Sequence, residues 1–168
     1  MTTAELTNIP QFSAVAKESI QAFLEEIVKH WEGVHGGQDI EALHDMRVAT
    51  RRLRASLSVF QPAFPARPFD KFERKIAYLT DALGDARDTD VFLEFITAHV
   101  EALTVERASE KFGLHEFARH LQKRREEQQV ELLKTLRRLD PGELRRDGLS
   151  LLAALPGAGK PEGADLNV

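Results

Sequence analysis

Hydrophobic positions recur along this chain at intervals of three and four, the spacing of one helix face, and no convincing run alternates with a period of two. The spacing predicts a first helix over residues 11–33, closed by the loop Gly33-Val34-His35-Gly36-Gly37. Asp39 is placed to cap a second helix, with Glu41 in its first turn where the helix dipole favours an acid. That helix runs to Phe60 and stops at QPAFPARP, whose prolines cannot continue it. A third helix is predicted over 69–83 and ended by Gly84, with Asp85-Ala86-Arg87 as a loop and Asp88 capping a fourth over 89–110. Gly113 then breaks or bends the chain before a long helix over 114–139. Asp140-Pro141-Gly142 reads as a turn. A short helix over 142–155 follows, and the tail 156–168 reads as disordered. Short loops make successive helices antiparallel neighbours. The expected fold is all-α: an antiparallel helical bundle of about four long helices plus a short C-terminal helix, one domain over 10–155.

The chain has 168 residues, of which 42% are hydrophobic and 30% charged, enough apolar material for one buried core. It contains no cysteine, which excludes disulfides and thiolate metal sites. No apolar run is long enough to cross a membrane, and the N-terminus lacks the basic start and apolar stretch of a signal peptide. The expected location is therefore the cytoplasm. Net charge is −4, so a whole-chain case for nucleic acid fails. The charge is uneven, however. Residues 1–43 sum to −5, whereas residues 44–54 carry four Arg against Asp45 and sum to +3.

That basic stretch, HDMRVATRRLRASLSVF over 44–60, carries the candidate chemistry. On a helix turning about 100° per residue, with His44 at zero, Arg51, Arg47 and Arg54 fall at about 340°, 300° and 280°. Met46, Ala49, Leu53, Leu57 and Phe60 gather on the core face, and Ala55, Val48 and Val59 lie on the other side of the stripe. Arg52 stands apart. A solvated face normally lies opposite the core, but this stripe is flanked by apolar surface on both sides. Clustered guanidiniums that lose hydration need anions nearby, either internal carboxylates or a ligand's phosphates. Arginine's planar fork suits both, and His44 adds a ring donor.

HDMRVATRRLR, an aromatic-proline loop and then LTDALGDARDTDVFLEF at 79–95 resemble the signature of the CHAD family, the conserved histidine α-helical domain. In that family a His opens an Arg-rich helix, and a helix carrying L-G-x-x-R-D-x-D-V follows about thirty residues later. The resemblance implies a helical-bundle domain that binds inorganic polyphosphate through a basic, His-containing channel; no cofactor is expected. It also implies association with polyphosphate granules or with triphosphate-processing partners. By motif position it assigns anion contacts to His44, Arg47, Arg51, Arg52, Arg54 and Arg87, and family position adds Arg74 and Lys75. The family pattern has two similar helical halves, each with its own basic helix. Only the first is recognisable here, because Leu114-His115-Glu116-Phe117-Ala118-Arg119 has Phe in place of a further Arg. A homodimer is expected to supply the second half by symmetry.

Other features have plainer readings. Asp85, Asp88 and Asp90 lack the spacing and closing glutamate of a calcium loop, and are read as helix caps and partners of Arg87. The histidines show no paired metal-ligand spacing. Arg124-Arg125 is read as pairing within its own helix with Glu126, Glu127 and Glu131. Gly157-Ala158-Gly159-Lys160 is not a phosphate-binding loop, lacking the second spaced glycine and the Ser/Thr. No nucleophile–base pair or carboxylate cluster for Mg²⁺ stands out, so no enzyme is expected. Two competing readings remain. One is nucleic-acid binding by the arginine helix, against which the acidic total and the scarcity of free aromatics argue. The other is a structural bundle whose arginines pair with carboxylates of the first and fourth predicted helices.

Overall fold

The computed structural model describes residues 10–37, 39–104 and 107–155, and among these it contains helices and no strand. The helices are α1 (Pro10–Lys29), α2 (Trp31–Gly36), α3 (Ile40–Phe60), α4 (Ala66–Ala102), α5 (Ala108–Arg138) and α6 (Pro141–Ala153), with a 3-10 turn at Gln61–Ala63. Four are long and the C-terminal one is short, which agrees with the all-α expectation. The tail 156–168 lies outside the described residues. No helix among them is long and apolar enough to cross a membrane.

Cross-helix pairs fix the directions. Phe12 meets Phe60 edge-on at 4.9 Å, while His30 lies 3.8 Å from Asp45, so α1 and α3 are antiparallel. Arg47 reaches Asp88 and Arg54 reaches Glu73, so α3 and α4 are antiparallel too. Asp90 with Arg125 and Tyr78 with Arg138 establish the same for α4 and α5. One contiguous core fills the space between them, from Ile20, Leu24 and Ile27 through Met46, Leu53 and Leu57 to Phe72, Ile76 and Leu79. The faces read from periodicity in α3 and in the first half of α4 are the buried ones.

Several boundaries depart from the sequence reading. Gly84 ends nothing: α4 passes through it for 37 residues, about 55 Å. Leu79, Leu83, Ala86 and Asp90 form one buried row across it, and burying that row outweighs the roughly 1 kcal/mol a helical glycine costs relative to alanine. Residues 85–87 are therefore helical, and neither Asp85 nor Asp88 caps a helix. The helix expected to run to 110 stops at Ala102, and α5 starts at Ala108, with Gly113 inside it in open space. The first helix divides at His30, and most of the expected loop is the short α2, which buries Trp31 and Val34. It closes at Gly37, whose φ of 75° is the left-handed conformation suited to glycine. Asp140 is a cap rather than part of a free turn: its carboxylate accepts from the Glu143 N–H at 2.7 Å, with Pro141 opening α6.

Two close contacts escaped the sequence altogether. A Cβ on Gly148 would sit 2.4 Å from Leu24 and 3.2 Å from Phe72, so glycine lets α6 approach both α1 and α4. Arg125 does not form its ion pair with Glu126, Glu127 or Glu131 of its own helix as expected. Its Nε donates to Asp90 Oδ1 at 2.7 Å, its Nη1 donates to Gln129, and Gln129 in turn donates to the Val34 carbonyl. This chain of bonds ties α5 to α4 and α2.

Candidate anion-binding site

The site is built on α3. Asp39 starts the helix by accepting the Ala42 N–H at 2.8 Å, satisfying an amide that has no partner in the first turn. Burial of Leu43, Met46, Thr50, Leu53 and Leu57 then fixes the rotation of the helix. That rotation sends Arg47 and Arg54 to the edge facing α4, with Arg51 beside them and exposed.

Opposite this edge stands a row of acids on α4. Arg47 Nη2 donates to Asp88 Oδ1 at 3.3 Å. Arg54 lies 3.7 Å from Glu73 and 3.9 Å from Asp81. With Ala77 and Gly84, these acids occupy positions 73, 77, 81, 84 and 88, one continuous face of a helix. Arg47 and Arg54 do meet internal carboxylates, but none from α1: all three come from the Ala66–Ala102 helix, into which the third and fourth predicted helices merge. The acid row was missed because the sequence reading broke the helix at Gly84, which separated Asp88 from Glu73 and Asp81. Its 4-4-3-4 spacing is the signal that would have found it.

These ion pairs are long and open to solvent, and pairs of that kind contribute about 0–1 kcal/mol each. They hold the guanidiniums loosely. Arg51 and Arg52 have no carboxylate at ion-pair distance among the described residues, and with Val48 and Ala55 they line a shallow open depression of about 350 Å³. His44 is half-buried on the same helix, one turn before Arg47 and Val48.

The remaining candidates sit elsewhere. Arg74 is exposed on α4, its Nε donating to the Asp70 carbonyl of its own helix. Arg87 is mostly buried, and its Nη1 donates to Glu94 at 2.9 Å, two turns along α4. Lys75 is not on the arginine edge. It faces α6, where its ammonium donates to both Glu143 and Asp147 at 2.7 Å. The hydrogen bonds to Asp147 and then Glu143 raise its pKa above the ordinary lysine value. Lys75 is a strut between α4 and α6. The structure thus places His44, Arg47, Arg51, Arg52 and Arg54 on α3, leaves Arg74 exposed on α4 with a bond to a carbonyl of its own helix, and engages Lys75 and Arg87 with carboxylates. Among the described residues, no group of three or more His, Asp or Glu is arranged to hold a metal ion.

Fold and site together describe an all-α bundle with one arginine-rich helix edge bordered by weakly paired acids. The chain belongs to the CHAD domain family, whose sequence model matches residues 18–166. No curated protein and no solved structure matches it.

Proposed function

We propose that this chain is a binding module for inorganic polyphosphate, acting without catalysis through the arginine edge of α3. The observation that carries the reading is the imbalance on that edge. Four guanidiniums lie within two turns of α3; among the described residues Arg51 and Arg52 have no carboxylate at ion-pair distance, and Arg47 and Arg54 have only pairs open to solvent. A polyanion can displace such pairs at little cost and add bidentate contacts to Arg51 and Arg52. Membership of the CHAD family supports phosphate chains as that polyanion. Binding of this kind would also hold the protein on polyphosphate granules. Affinity should rise with chain length, since each further phosphate can engage another cation. It should fall with salt, as counterions compete for a polyanion's charges.

The test is isothermal titration with tripolyphosphate and with long-chain polyphosphate, alongside an Arg47→Ala/Arg51→Ala variant. A chain-length-dependent affinity that drops at least tenfold in a folded variant is the expected result. Equal affinity for short and long chains would overturn the reading, and preference for RNA or DNA in competition would replace it with nucleic-acid binding. A second reading has its own observation: Asp88, Asp81 and Glu73 make α3–α4 ion pairs, as a purely structural role requires. If so, the variant would lower the melting temperature and leave any polyphosphate binding unchanged.

A further inference from the structure

All four exposed phenylalanines among the described residues, Phe92, Phe95, Phe112 and Phe117, fall on the far half of the α4–α5 hairpin. By the register of Arg47 with Asp88, the start of α3 is level with about residue 95 of α4, so beyond that point α3 gives α4 no cover. Ile96 and Val100 are buried there, yet neither belongs to the main core. Phe92 and Phe117, exposed by 59% and 52%, line an open groove of about 380 Å³ together with Leu121, Asp85, Asp88 and Arg124. Phe95, 68% exposed, lies one turn beyond Phe92 and Val91. A cluster of aromatic rings around a groove is a contact surface and not scattered surface apolarity.

We propose that a second copy of this chain covers the groove. The charges argue for that occupant, because Asp85 and Asp88 stand on the α4 wall of the groove and Arg124 on its α5 wall. Residues 85–104 of α4 and the turn after it carry five acids against Arg87 and sum to −4. Residues 107–125 carry six Lys and Arg against Glu110 and Glu116 and sum to +4. Among the described residues of one chain, only Asp90 and Arg125 pair across the two helices in this stretch, and the side chains of Asp85 and Arg124 have no partner there. A twofold axis running along the hairpin lays α4 of one copy over α5 of the other. In that arrangement Asp85 and Asp88 face Arg124 of the second copy, twice over, around the packed rings. Phe92, Phe95 and Phe117 would lose roughly 300 Å² per copy, an aromatic anchor for an interface that needs about 800 Å² per partner. The inference stands on the groove and its charges, and shares with the arginine edge only Asp88, the partner of Arg47.

The experiment is sedimentation equilibrium of the full chain without polyphosphate. The wild type should show twice the chain mass at concentrations of about 10–100 µM, as a dimer with a dissociation constant of about 1 µM requires. Phe92→Ser/Phe117→Ser should be monomeric while keeping its helical circular dichroism and its cooperative melt, since both rings are exposed. Arg124→Glu should weaken the dimer at least tenfold, and adding Asp85→Arg to it should restore association. A monomeric wild type at the top of that range would overturn the proposal, as would a dimer indifferent to the Phe and Arg124 substitutions.

Discussion

Arg47 reaches across from α3 to Asp88 at 3.3 Å, and its guanidinium passes over Gly84, where an added Cβ would lie 4.0 Å from Arg47 Nε. One arginine thus touches the acid row and the glycine that the sequence alone presented as a helix end. The pair is also where a polyanion and an internal carboxylate compete for the same cation.

Removing the competitor should strengthen binding. Asp88→Asn keeps the shape of the side chain and releases Arg47, so affinity for long-chain polyphosphate should rise roughly threefold, the scale of one exposed ion pair. Titration at fixed ionic strength reads this directly. Weaker binding would mean that Asp88 positions Arg47 for the ligand, and the competition account would be dropped.

Gly84 sits within an unbroken helix and has room for a methyl group, since 4.0 Å is ordinary van der Waals contact. Gly84→Ala should therefore stabilise the fold by about 0.5–1 kcal/mol, by lowering the conformational freedom of the unfolded chain. Urea denaturation would detect the change. A loss of stability would show that Arg47 needs the space.

The Asp90–Arg125 pair differs from the pairs on the arginine edge, because Asp90 is only 7% exposed and its Oδ2 has no partner among the described residues. Arg125→Ala would strand a buried carboxylate and should cost about 3 kcal/mol. Asp90→Ala/Arg125→Ala removes both charges and should cost clearly less. Arg47→Ala, by contrast, should cost under about 1 kcal/mol. Equal penalties for the Arg125 and Arg47 single variants would contradict this division between structural and ligand-facing arginines.

Lys75 sets an alkaline limit on the α4–α6 contact. Its pKa is raised in the folded protein, so its stabilisation is complete below the ordinary lysine value of 10.5 and is lost as pH climbs through the folded value. Lys75→Met should melt lower than wild type at pH 8, and the gap should close in strongly alkaline buffer. A gap that is constant with pH would mean that the contribution is packing by the lysine stem rather than charge.

The extent of the legible part follows from local physics. Periodicity located the buried faces of α3 and of early α4, because a side chain's direction along a helix depends only on its position in the sequence. The Asp39 cap and the end of α3 at Phe60 were readable for the same reason. Gly84 misled because its propensity is a weak local preference. Whether a helix continues through it depends on what the next turns bury, and Ala86 and Asp90 find their cover only once α4 is packed in the bundle.

The sequence by itself determined that this protein is all helix, that α3 carries an arginine stripe beside its core face, and that the chain is of the CHAD kind. Those properties rest on spacing and residue type. Tertiary structure alone decided which cations are free. Lys75 went to Glu143 and Asp147, Arg87 to Glu94 and Arg125 to Asp90, while Arg51 and Arg52 were left without a carboxylate among the described residues. The physical reason is that an ion pair between helices depends on how two faces rotate against each other, and burial sets that rotation across the whole core.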